Sequence, residues 1–130
     1  MMRRVCASEF WYQYDNSQEG TLWSPTTGLT EAGTAYAQVY NWMVGRSMTS
    51  PCSANGTTWT CILTAPGGYQ GLAVWDTSQT CNNGICTTAP YGVSNQYVQY
   101  RDLSGGITQI PQGQNPKTVP VGLKPILVEN

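Results

Sequence analysis

"TTWTCILTAPGGYQGLAVWDT", residues 57–77, sets the period of the chain. Side chains alternate along it. Trp59, Cys61 and Leu63 fall on one side of the first half, and Leu72 and Val74 oppose Ala73 and Trp75 in the second. Alternation of this kind is the mark of a strand, whose successive side chains point to opposite faces. The stretch "APGG" between the halves has turn chemistry. Both faces of "GLAVW" are apolar, so one is expected to face a core and the other to form a platform.

The same period continues to the end. Residues 57–64, 70–77, 95–102, 106–110, 118–123 and 124–130 read as short strands. The segments "CNNG", "DLSGG" and "PQGQNP" read as turns between them. Short strands at such spacing predict a β-sandwich or small barrel. Before Pro51 the period differs. "EFWYQY" (9–14) reads as a strand aromatic on both faces, and 15–28 as a loop. Then Ala32, Ala35, Tyr36, Val39, Tyr40 and Met43 recur at helical spacing. Thr30 is placed to cap that helix, Glu31 suits its first turn, and Gly45 its end. The expected fold is mainly β, an antiparallel β-sandwich with one N-terminal helix. The expected division is 1–48 and 49–130, with the boundary near residues 46–51.

Charged residues make up 10% of the chain and the formal net charge is −1. From residue 51 onward only Asp76, Arg101, Asp102, Lys117, Lys124 and Glu129 are charged. Nucleic acid and anionic membranes both require a basic face, so neither is an expected partner. No stretch approaches the roughly 20 apolar residues of a membrane-spanning helix. Polarity comes from 16 Thr, 10 Gln, 9 Ser and 8 Asn, alongside 5 Trp and 8 Tyr. Aromatic faces with neutral hydrogen-bonding groups suit a neutral hydroxylated ligand. Sugar rings present apolar C–H faces and hydroxyl rims.

Cys52 and Cys61 flank an Asn-Gly turn, as do Cys81 and Cys86. Four cysteines allow three connectivities. Local pairing is geometrically easiest and staples two hairpins. Zinc is the rival, but C-x8-C and C-x4-C match its short knuckles poorly and the chain has no His. Disulfides imply an oxidising, extracellular setting. Cys6 is left over and no export signal is visible. Both point to a piece of a longer, secreted protein. Asp76 and Asp102 are candidates for a structural calcium, but that ion takes six or more oxygens, so no cofactor is expected. Asn55-Gly56-Thr57 matches a glycosylation sequon, though its role in a turn is sufficient.

Three stretches carry a resemblance: "LTEAGTAYAQVYNWMVG", "AVWDT" and "VGLKPILVEN". With "FWYQYDN", they resemble the last strand and helix of a (β/α)8-barrel glycoside hydrolase of the cellulase type, followed by its appended β-sandwich. The resemblance implies a carbohydrate-binding module derived from an endoglucanase-like polypeptide. It implies binding of β-glucan or cello-oligosaccharide, with the parent catalytic domain as partner in cis. Catalysis is not expected, because the barrel strands that carry the two carboxylates of such enzymes are absent. Glu9, Asp15, Glu19 and Glu31 match no catalytic position.

The expected sugar site joins Tyr69, Gln70 and Trp75 to Asn95, Tyr97 and Gln99, provided their two strands are neighbours. Trp11 and Trp23 form a second candidate platform, as orphans of the barrel cleft. Trp59 reads as a core residue packed on a disulfide, and Trp42 as structural. Ala32, Tyr36, Val39 and Met43 form a helix stripe that a homodimer would cover. The alternative function is structural: a sandwich that buttresses the barrel of a parent hydrolase without binding sugar.

Overall fold

The computed structural model describes residues 23–26 and 28–130. Trp11, Cys6 and the strand expected at 9–14 lie outside the described residues. The described residues up to Gly45, with Leu103–Gly105, belong to one compact unit, and Arg46–Asp102 with Gly106–Asn130 form another.

In the first unit β1 (Trp23–Ser24) and β2 (Gly28–Leu29) form a two-stranded ribbon, within the expected loop. Helix α1 (Glu31–Met43) follows. The Thr30 hydroxyl accepts from the Gly33 N–H at 3.1 Å, the bond that an N-cap supplies to an otherwise orphaned donor. Gly45, just past the C-cap Val44, has φ +76°, a left-handed conformation that favours glycine. The helix buries Gly33 and Trp42, as the structural reading of Trp42 implies. The expected stripe is only half-buried at Ala35, Tyr36 and Met43, and exposed at Ala32, Val39 and Tyr40.

The second unit contains β3 (Ser53–Asn55), β4 (Thr58–Ala65), β5 (Tyr69–Asp76), β6 (Cys81–Asn82), β7 (Ile85–Cys86), β8 (Thr88–Gly92), β9 (Gln99–Arg101), β10 (Ile107–Gln109), β11 (Thr118–Gly122) and β12 (Ile126–Glu129). One six-stranded sheet has the order β10-β9-β12-β5-β4-β3, and all its pairings are antiparallel. β8 and β11 form a separate ribbon. The described residues are mainly β and sandwich-like, with one helix.

The sheet has two distinct faces. On the first lie Leu72, Val74, Ile126 and Val128, matched across β5 and β12 by register. They form one buried cluster with Val119 and Val121 of β11 and with Tyr97 and Ile110, and Tyr91, Val93 and Tyr100 pack against it. Each fully buried side chain of this size contributes about 1.5–3 kcal/mol. In the ribbon, Pro90 stands directly opposite Pro120. Neither has an N–H to donate, so the pair suits a non-hydrogen-bonded site of the ladder.

Both expected disulfides are present, Cys52–Cys61 and Cys81–Cys86. Cys81 and Cys86 face each other across the β6–β7 hairpin, whose loop is Asn83-Gly84. Both loop residues have positive φ, +53° and +80°, as a tight primed turn requires. The other turn departs from expectation. Asn55 is the last residue of β3, and the loop is Gly56-Thr57.

Candidate functional site

The second face of the sheet carries the candidate site. Across β3, β4 and β5 the register aligns Ala54, Trp59 and Trp75 in one row. The indoles of Trp59 and Trp75 stack at 6.2 Å between centroids and 7° between planes. Stacking leaves each ring one outer face. On its other side Trp59 is paired in register with Ala54 of β3, the edge strand, and Trp59 is 38% exposed. Trp59 is thus a surface residue stacked on Trp75, and the expectation that it is a core residue is corrected. Cys61 follows it on the same face, so the Cys52–Cys61 bridge anchors the edge strand beside the indole.

The far end of this face is polar. Tyr69 begins β5, and its hydroxyl donates to Glu129 Oε2 at 2.7 Å. Gln99 Nε2 and Arg101 Nε donate to Glu129 Oε1 at 2.8 and 2.7 Å. Gln109 Nε2 donates in turn to Gln99 Oε1. Gly71 makes this possible, because it faces Glu129 directly and a Cβ there would sit 2.7 Å from the Tyr69 hydroxyl. The Arg46 guanidinium covers the Tyr69 ring at 4.2 Å from its centroid.

Burial opposes the charge on Glu129, but the donors from Tyr69, Gln99 and Arg101 outweigh it and hold the carboxyl below its usual range. Burial, and then the bond and charge of Glu129, push the Tyr69 hydroxyl up. A carboxylate saturated with donors stays ionised and is a poor proton donor. A glycosidase pair needs a second carboxylate at fixed separation. The partners of Glu129 are a phenol, an amide and a guanidinium, so this cluster locks three strands together.

Asp76 caps a different corner. Thr57 Oγ1, Ser78 N–H and Ser78 Oγ donate to Asp76 Oδ1 at 2.7, 2.9 and 2.8 Å. They lower its pKa to about 2. Asp102 accepts from the Gly106 N–H within the β9–β10 turn. Among the described residues no three His, Cys, Asp or Glu side chains are grouped to hold a metal. Asp76 and Glu129 both titrate below their unfolded values. Their contribution is complete above the unfolded pKa and is lost as pH falls through the folded one. Thermal unfolding should therefore show stability level above about pH 5 and declining from there toward pH 2.

The expected sugar strip is only partly assembled. Tyr69, Trp75 and Gln99 share the second face, as register dictates. β5 and β9 are not neighbours, however, because β12 lies between them. Trp75 and Tyr69 stand about 20 Å apart along β5, and nearby Leu63 and Leu127 are buried. Gln70 is on the opposite face, where its Nε2 donates to the Tyr97 hydroxyl at 2.9 Å. Tyr97 is 5% exposed and belongs to the core, so its place in a platform is corrected. The cause is local. A turn from Ser94 to Tyr97 (N–H to O 3.3 Å) interrupts the expected strand, which begins only at Gln99. Asn95 is on that loop, away from the row of tryptophans. Trp23 begins β1, and its side chain is outside the described part.

The comparisons with known proteins return nothing: no family model, no curated protein and no solved structure matches this chain.

Proposed function

We propose that this chain binds β-glucan chains without cleaving them, through the Trp59–Trp75 pair. The observation that carries this reading is a half-exposed indole, stacked from behind by a second indole and paired on its other side with a small residue, Ala54. Such a ring is rigid and apolar. A glucose unit laid over it buries its C–H face while its hydroxyls remain at the polar rim. The adjoining β3–β4 turn is polar, with Asn55, Thr57 and Thr58 in and beside it. The resemblance to cellulase-type hydrolases supports the same ligand class. The two disulfides are compatible with an extracellular protein, and secretion belongs to this proposal.

Affinity electrophoresis in soluble mixed-linkage β-glucan tests it. The protein should be retarded, and Trp59→Ala should weaken binding by about 1–3 kcal/mol, the scale of one aromatic contact. Trp75→Ala should weaken it as much by removing the ring behind. Mobility unchanged by glucan would favour the buttressing role instead. Incubation with cellulosic polymers should release no reducing ends above a heat-killed control.

A further inference from the structure

A cavity lies between two loops of the second unit. Asn95, from the β8–β9 connection, meets Gln112, Gly113, Gln114 and Asn115, from the β10–β11 connection, and Lys117 around a cavity of about 350 Å³. Lys117 is 3% exposed. Its Nζ donates to Tyr97 O at 2.7 Å, Asn95 O at 3.0 Å and Gln112 Oε1 at 2.9 Å. All three acceptors are neutral. A buried ammonium ordinarily has a carboxylate partner, because neutral dipoles offset its lost hydration only in part.

Two of these acceptors are backbone carbonyls fixed by the fold. The third belongs to Gln112, an exposed residue whose Nε2 also donates to Ile110 O at 2.7 Å and which gives up that bond when it swings aside. We propose that the cavity takes a carboxylated sugar, a uronic acid residue, whose carboxylate replaces Gln112 Oε1 on Lys117 Nζ. A charge-assisted bond then replaces a neutral one, roughly doubling its strength. The amides of Asn95, Gln114 and Asn115 line the remaining space and supply donors and acceptors for ring hydroxyls. The volume accommodates a single pyranose unit. The inference rests on the saccharide reading above and extends it: tryptophans for the neutral chain, and this cavity for an acidic unit carried on it.

The test is a titration of ¹⁵N-labelled protein with sodium glucuronate, its uncharged methyl ester, glucose and cellotetraose in turn. Glucuronate is expected to shift the side-chain amide signals of Asn95, Gln114 and Asn115. It should bind at least about tenfold more tightly than the ester or glucose, because they cannot form the charge-assisted bond. Gln112→Ala should retain or tighten glucuronate binding. Cellotetraose should move the indole signals of Trp59 and Trp75 instead. Equal binding of glucuronate and its ester, or no response of the cavity amides, overturns the acidic subsite. If the indoles still respond to cellotetraose, the glucan platform stands without it. If they do not, that platform falls separately. Because ligand charge is varied on the native chain, no folding defect can mimic the result.

Discussion

Arg101→Ala is expected to destabilise the protein by about 3 kcal/mol at neutral pH, the lower end of the range for breaking a buried ion pair. The two ends of the pair are unequal: the Glu129 side chain is 4% exposed and that of Arg101 37%. Removing the arginine strands a buried carboxylate, with only Tyr69 and Gln99 left as donors. Losing the Arg101 bond and charge, two of the influences that hold the Glu129 carboxyl down, raises its pKa from the value in the parent. The stability that Glu129 contributes above its unfolded pKa shrinks accordingly, and in the parent that contribution is lost as pH falls and the carboxylate is protonated. Urea melts at pH 7 and pH 4 check this: the variant's deficit relative to the parent should shrink at the lower pH. A deficit that is the same at both would show that Arg101 acts by packing alone.

Leu127→Ala is expected to cost about 2–5 kcal/mol. Leu127 is 0% exposed and is paired with Ala73 on one side and Arg101 on the other. On the β5 side its neighbours are small, alanine at 73 and glycine at 71, and cannot fill the space a lost isobutyl group leaves. A thermal melt should fall by roughly 10 °C or more for a domain of this size. Leu127→Met, close in volume, should cost less than about 1.5 kcal/mol. A small effect from alanine would mean that this face closes over the gap.

The elements that local chemistry specifies were legible in the sequence. Thr30 and Gly45 bracket the helix because a hydroxyl cap and a left-handed stop act within one turn. β4 and β5 follow from alternation, and both disulfides from short cysteine spacing. β8 was not legible, because Pro90 argues against a strand unless it faces another non-donor across the ladder, as it faces Pro120. Tyr97 was assigned by alternation to the face of Gln99, but a turn immediately before β9 sends it into the core. The exposure of Trp59 depends on Ala54, and the cluster around Glu129 on strands 28 to 60 residues apart in the chain. Such neighbours are decided by topology, which periodicity does not report. One signal was available: with six charges after residue 51, a glutamate or lysine inside an apolar strand pattern needs a partner.

The position of β12 between β5 and β9 also governs the order of folding. The β4–β5 and β9–β10 hairpins can each form locally, but they share no ladder with each other. β12 alone joins them, and its pairing with β5 closes a loop of some fifty residues, a search that slows the rate-limiting step. Until it inserts, two unpaired edges lie open, the form of strand most able to recruit another chain. Any change that delays this last insertion therefore acts on yield and aggregation during refolding more strongly than on the finished molecule's stability.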